Sequence, residues 1–152
     1  MNKLLVHIIT GVENPSRAVL GFLVAKSAIE DGNDVTIFCA GDGVTSLHEI
    51  TTKEMQGVGL GTLSEHLEVL KSNGAHLYAS GKSAQARGIS KEQLESLGFT
   101  PATPNKLVEL SFEADRVLIY WTVDKKEYTA IFCTGIYFIS LNVCIWKFKF
   151  FC

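Results

Sequence analysis

The sequence predicts a three-layer α/β protein, in which a mostly parallel sheet of about five strands has helices on both faces. Short apolar runs, typical of buried strands, alternate along the chain with segments that show helical periodicity and helix-capping residues. Strands joined through helices are usually parallel, with right-handed crossovers. We expect a flavodoxin-like strand order within one domain, residues 1–120, followed by an atypical apolar tail, residues 121–152.

The composition is that of a folded domain and argues against several classes of protein. The chain has 152 residues, of which 47% are hydrophobic and 20% charged, and this is ordinary for a folded domain. A formal net charge of −2 and the lack of a long charge run argue against nucleic-acid binding. The four cysteines form no CxxC pair or zinc-site spacing, so we expect no metal. The amino-terminal apolar run is too short for a signal peptide, which favours a cytoplasmic protein.

The first strand and the first helix are clear in the sequence. Leu4 to Thr10 is a nearly continuous apolar run, typical of a strand buried on both faces. We interpret His7, inside this run, as a hydrogen-bonded histidine of the core or of the sheet end. Asn14 is a candidate N-cap, and Pro15 suits the first position of a helix that ends near Asp31. Because this helix is apolar on almost every side, we expect its second face to meet another subunit.

A second strand and a less regular region follow. Val35 to Ala40 is the second strand, and Cys39 within it is most simply a buried, inert residue. Asp42, in the next loop, could cap the following helix or face a ligand. That helix is predicted over Val44–Ile50. Thr52–Gly61 is predicted to be a loop; its QGVGLG run does not join a strand to a helix as a dinucleotide-binding fingerprint would.

Helix-capping residues predict where several helices begin and end after residue 61. Thr62 and Glu65 have capping-box spacing and open a helix that ends at Asn73-Gly74, with His66 expected in solvent. Later come a short helix from Lys91 to Leu97, a stiff connection with two prolines, a helix over about Asn105–Glu113 and a last strand over Arg116–Tyr120.

The stretch from Ala75 to Ser90 is where we expect a functional site. An apolar strand runs into a small polar loop, and Ser90 with Gln93 then forms a second capping box. In open α/β sheets, ligands bind at the carboxyl ends of the strands. With a flavodoxin-like order, the first loop of the chain and this loop would flank one cleft. The candidate ligand-binding residues are Gly11, Asn14, Asp42, Ser80, Gly81, Lys82, Ser83 and Arg87.

Several segments resemble the DsrE/DsrF-like sulfur-relay family over roughly residues 3–120. They are GVENPSRAVLGFLVAKSAIEDGNDVTIFCAGDGV, QGVGLGTLSEHLEVLKSNGAHLY, LYASGKSAQARGIS and LVELSFEADRVLIY, in that order. The resemblance implies a DsrE/F-like fold, a trimer or hexamer, and a loop cysteine that carries sulfur as a persulfide. Ser80 stands at the position that we match to this cysteine. Cys39, near the end of a neighbouring strand, is a weaker alternative thiol.

Two functions therefore stay open from the sequence. The first is a DsrE/DsrF-like subunit of an intracellular sulfur relay, without independent enzymatic activity because the loop cysteine is absent, and with other relay proteins as partners. The second is a small-anion or nucleotide-binding module without chemistry. We expect no cofactor in either case. Residues 121–152 leave three readings open: a structural element, a membrane segment or an aberrant terminus. We expect no membrane attachment unless this tail inserts.

Overall fold

A computed structural model describes residues 2–121 and confirms the α/β fold. One sheet contains the parallel strands β1 (Lys3–Ile8), β2 (Asp34–Cys39), β5 (His76–Ser80), β6 (Thr100–Ala102) and β7 (Arg116–Tyr120), and a separate antiparallel hairpin pairs β3 (Gln56–Gly57) with β4 (Gly61–Thr62). The α-helices are α1 (Pro15–Glu30), α2 (Glu49–Glu54), α3 (Leu63–Ser72), α4 (Gly81–Ala86), α5 (Lys91–Ser96) and α6 (Pro104–Glu113), and residues Gly41–Leu47 form a 3₁₀-helix.

The strand order differs from the flavodoxin-like order that we expected. The order is β6-β5-β2-β1-β7, so the first four strands of the sheet follow one another in one direction. The last connection, through α6, runs from β6 at one edge of the sheet back past β5, β2 and β1. It leads to β7, which pairs with β1 at the other edge. Crossovers of one hand place a helix on the face set by the direction of the step. The returning helix α6 therefore lies on the opposite face from the others.

The two faces of the sheet are covered unequally. The first face carries residues such as Val6 and Ile37, which share a buried core with α1, α3 and α5. The second face carries Leu5 and Phe38, which share a smaller core with Leu110 of α6. Within residues 2–121, α6 is the one α-helix that contributes to this smaller core.

The first helix is buried within the chain itself. Asn14 caps it as predicted, because its side-chain oxygen accepts a hydrogen bond from the Arg17 backbone N–H at 3.2 Å. Phe22 is fully buried, and α1 packs against α3 and the β3–β4 hairpin as well as the sheet. Phe22 therefore does not face outward as expected, and elements of the same chain cover most of the helix, whereas Leu20 stays exposed. The contact of this helix with another subunit stays a prediction.

Other differences from the sequence reading arise where local signals are weak. The region predicted as a helix over Val44–Ile50 is the end of the 3₁₀-helix followed by the start of α2, and the predicted loop Thr52–Gly61 contains the end of α2 and most of the hairpin. His66 is buried, with Nε2 at 2.7 Å from the Leu60 carbonyl oxygen, because the hairpin folds over it. The connection containing Pro101 is the edge strand β6, a position where a missing N–H is tolerated.

Among residues 2–121, no helix is long and apolar enough to cross a membrane. The three interpretations of the tail concern residues 122–152, which lie outside the described part of the chain.

Candidate functional site

Three loops meet at the carboxyl edge of the sheet, and hydrogen bonds join them in sequence. The loop after β1 contacts the loop after β2, because the Val12 backbone N–H donates to Thr45 Oγ1 at 3.1 Å. The loop after β2 contacts α4, because the Gly41 backbone N–H donates to Ser83 Oγ at 3.3 Å. The carboxyl edge is therefore a connected surface formed by three separate segments.

Ser80 is the last residue of β5 and the N-cap of α4. Its Oγ accepts a hydrogen bond from the Ser83 backbone N–H at 3.4 Å, and the residue is half-buried. The small polar residues after the strand predict an irregular loop here. The segment Gly81–Ala86 is instead helical, because the hydroxyl caps it and alanines and a glutamine follow.

Asp42 and Arg87 form an ion pair between the second and third loops. Arg87 Nη2 lies 2.6 Å from Asp42 Oδ1, and Arg87 Nη1 donates to the Ser83 carbonyl oxygen at 3.3 Å. The Asp42 side chain is 62% exposed and that of Arg87 is 30% exposed. Asp42 thus makes no side-chain cap but partly neutralises the guanidinium of the site.

Gly11 and Asn14 are not part of this cluster. Strand β2 separates β1 from β5, so the loop after β1 does not flank Ser80 as the flavodoxin-like order required. The Gly11 N–H donates to both carboxylate oxygens of Glu13, at 2.9 and 2.8 Å, and the Thr10 hydroxyl donates to one of them at 2.8 Å. A carboxylate of the chain itself already binds these donors, and Asn14 serves as the cap of α1.

Glu13 and Thr45, which organise the loops after β1 and β2, have no specific signal in the sequence that marks them as site residues. Their roles depend on two segments more than 30 residues apart coming into contact. A carboxylate just after a glycine at a strand end is the signal that could have indicated Glu13, but many exposed loop residues share it.

Cys39 lies at the end of β2 on the first face and is completely buried. Burial raises the pKa of the Cys39 thiol, because the protein interior disfavours the charged thiolate. A thiol needs its thiolate form and access to a partner for sulfur transfer. The geometry at Cys39 provides neither.

No histidine is placed to activate Ser80. His76 lies on the same strand but at the opposite end, where its Nε2 is 3.7 Å from Asp34 Oδ1. Within the part of the chain described here, no group of three His, Cys, Asp or Glu side chains could hold a metal ion. The carboxyl edge therefore offers hydroxyls and two cations, Lys82 and Arg87, which suit an anion or a neutral polar group.

Comparison with known proteins gives one family and several similar folds. The profile described as "DsrE/DsrF-like family" matches residues 2–120. Among curated proteins, none matches the chain. The ychN protein from E. coli matches with a TM-score of 0.60 and 20% identity over 79% of this chain and 99% of its own.

Two further solved structures show the same fold. MTH1491 from Methanobacterium thermoautotrophicum has a TM-score of 0.60 at 16% identity, covering 78% of this chain and 99% of its own. BT1422 from Bacteroides thetaiotaomicron has a TM-score of 0.57 at 13% identity, covering 76% and 93%. Both are described as proteins of unknown function. At these identities the likeness concerns the fold alone.

Proposed function

This chain belongs to the DsrE/DsrF-like family, and we propose that it is a non-catalytic subunit of an intracellular sulfur-relay system. The family resemblance implies a thiol on the loop after β5, and this chain has Ser80 there. A hydroxyl does not hold sulfur as a persulfide, and it needs an adjacent base even to act as a nucleophile. The site keeps the cations of the loop without the sulfur-carrying atom.

The burial of Cys39 is the observation that carries this proposal. It is the one cysteine among residues 2–121, and its thiol is enclosed in the core of the first face. Since neither residue 80 nor residue 39 presents an accessible thiolate, the folded domain has no atom that could accept sulfur from a donor.

The remaining role for such a subunit is assembly, with copies of itself in a trimer or hexamer and with other relay proteins. Two exposed valines support a contact surface near the carboxyl edge. Val58, at the hairpin turn, is 90% exposed, and its backbone N–H donates to Ser16 Oγ in the first turn of α1. Val12 is exposed in the loop that leads into the same helix.

Val58→Asp should yield smaller species in light scattering, because the charge would lie in the proposed contact surface. A monomeric wild type at micromolar concentration would contradict the assembly.

The role is tested by incubating the full-length chain with a persulfide-loaded cysteine desulfurase. We expect no sulfur gain on the peptides that contain residue 39 or residue 80. We also expect the chain to associate with sulfur-carrying relay proteins in a pull-down. Labelling of Cys39 in the native protein would overturn the proposal, as would failure to bind any sulfur-carrying partner.

An anion-binding module without chemistry is the second candidate, favoured by Lys82 and Arg87 at the carboxyl edge. Asp42 competes with an added anion for Arg87, because it lies 2.6 Å from the guanidinium. Asp42→Asn should then tighten the binding of phosphate or thiosulfate in calorimetry, and Lys82→Ala should weaken it. If wild type and both variants bind neither anion, this candidate is excluded.

A further inference from the structure

The helix α6 carries a row of exposed side chains without charge. Asn105, Val108 and Phe112 follow one another at intervals of three and four residues, so their side chains lie along one side of the helix. Phe112 is 85% exposed and Val108 is 54% exposed, although both side chains are large and apolar, and Asn105 is exposed beside them. We call these three residues the outer row of α6.

The outer row points away from the sheet. Leu110, on the opposite side of the helix, packs over Leu5 and Phe38 in the small core of the second face. Within residues 2–121, α6 is the one α-helix that contributes to this core, so no second helix flanks it there. Exposed aromatic and aliphatic side chains that lie side by side are typical of surfaces that bind another protein.

A second row, one residue further along the sequence, is charged. Lys106, Glu109 and Glu113 have the same spacing and lie along α6 beside the outer row. Lys106 Nζ is 2.7 Å from Glu109 Oε1, whereas Glu113 is exposed and makes no ion pair with any residue from 2 to 121. The charged row therefore has a cation near the start of the helix and an unpaired carboxylate at its end.

We propose that the outer row of α6 binds the same row of a second copy of this chain, with the two helices antiparallel about a two-fold axis. In such a pair, equal flanks of the two helices meet with their directions reversed, and every contact occurs twice. Lys106 of each chain then lies beside Glu113 of the other. A parallel pair would instead place each charge of this row beside its own copy. The complementarity of the row with itself favours a second copy over an unrelated partner, and it selects the antiparallel arrangement.

The contact is small, so the pair should form in a concentration-dependent way. The helix has 10 residues and a length of about 15 Å. Three outer side chains on such a helix cover less than the roughly 800 Å² per partner of a standard stable interface. The inference rests on α6 alone, and it depends neither on the sulfur-relay role nor on the surface around Val58.

Disulfide formation in Val108→Cys of the full-length chain tests the arrangement. With Lys106 beside Glu113, the two-fold axis passes midway between these positions, and residue 108 lies about 4.5 Å along the helix from its copy. For packed helices about 8–10 Å apart, this offset brings the two Cα atoms to about 7 Å, which a disulfide can span. Asn105→Cys is the matched control, since it is exposed on the same row but about 13 Å along the helix from its copy, which is too far.

Each variant is oxidised with diamide, and its disulfides are mapped by peptide mass spectrometry. We expect a link between two residue-108 thiols, which can only join different chains, at several-fold higher yield than a link between two residue-105 thiols. Equal yields would indicate random collision and would overturn the proposal. Residue 108 linked mainly to Cys133, Cys144 or Cys152 of the same chain would assign the outer row to another occupant, and would overturn it as well.

Phe112→Asp tests the same contact without a disulfide, in sedimentation equilibrium of the full-length chain over a series of concentrations. We expect this variant to need a several-fold higher concentration than wild type for association, because the exchange places a carboxylate in the apolar row. Ile50→Asp is the matched control, since Ile50 is 77% exposed on α2, and it should associate like wild type. Circular dichroism shows whether both variants are folded. Association of folded Phe112→Asp at wild-type concentrations would overturn the proposal.

Discussion

At the scale of single residues, the hydroxyl of Ser80 has a structural task that a thiol performs less well. Its Oγ caps α4, and a cap of this type typically contributes about 1 kcal/mol to stability. Sulfur is a weaker hydrogen-bond acceptor than oxygen. Serine at residue 80 therefore gives a more stable start to α4 while it removes the atom that would carry sulfur.

His7 gives the stability of the fold a pH dependence. Burial lowers the pKa of His7 from 6.5 to about 4, because the sheet interior disfavours the imidazolium. Between these two values the unfolded chain binds a proton that the folded chain does not. Stability from this residue is complete above pH 6.5 and falls as the pH is lowered to about 4, by roughly 3 kcal/mol at most.

We therefore expect His7→Phe to flatten the decline in the free energy of unfolding between pH 6.5 and pH 4. Urea denaturation at several pH values measures this, and the difference from wild type removes the contribution of the carboxylates. Parallel pH profiles for the two proteins would show that His7 does not titrate as its burial requires.

The burial and hydrogen bonding of a residue could be predicted from the sequence where they depend only on its own strand or helix. Cys39 lies in an apolar strand and is buried as predicted, and Asn14 and Pro15 mark the start of α1. His66 is buried by a hairpin whose two-residue strands have almost no sequence signal. The ion pair of Asp42 joins residues 45 positions apart, and no local pattern indicates it.

At the scale of elements, glycines at the carboxyl edge serve different purposes. A Cβ on Gly43 would overlap the carbonyl group of Ile8, so this glycine allows the 3₁₀-helix to cross the end of β1. A Cβ on Gly81 would meet no atom closer than 3.8 Å, and the residue occupies the first position of α4. Gly81 is thus not required for packing, in contrast to Gly43.

Gly43→Ala should destabilise the fold by about 2 kcal/mol or more, because backbone must move to remove the overlap. Gly81→Ala is the matched control and should leave stability unchanged or slightly higher, since alanine is the better helix former. Midpoints of urea unfolding compare the two. Similar losses in both variants would contradict the packing described for the 3₁₀-helix.

Elements with caps could be predicted, and short elements without them could not. The capping boxes Thr62–Glu65 and Ser90–Gln93 are both present in the structure. Strand β6 has three residues and contains Pro101, so its sequence is that of a turn. It becomes a strand because its backbone pairs with β5, which is a tertiary effect.

At the scale of the whole molecule, the alternation of strands and helices predicts the class but not the strand order. Each crossover could step to either side of the preceding strand at similar cost, and the choice depends on which apolar faces fit together. For α3, the spacing of Leu63, Leu67 and Leu70 predicts which side of the helix is buried. The sequence of α6 does not predict that the chain returns through it to the far side of β1.

The core of the first face is complete within residues 2–121, so a chain that ends after Trp121 should still unfold in one cooperative transition. Thermal unfolding followed by circular dichroism measures this cooperativity. A broad transition without cooperativity would show that residues 122–152 are required to complete the core.

We propose that the carboxyl edge keeps the cations of a sulfur-carrying loop and lacks its thiol. Ser80→Cys tests it, because sulfur replaces oxygen with little change in volume, and Lys82 of α4 favours a thiolate, as does Arg87 at the end of α4 to the extent that Asp42 leaves its charge unneutralised. The measurement is peptide mass spectrometry of residue 80 after incubation of wild type and variant with a low-molecular-weight persulfide donor. We predict sulfane sulfur on residue 80 of the variant, and none on residue 80 or Cys39 of the wild type. Sulfur on Cys39 of the native wild type, or none on the folded variant, would contradict the account.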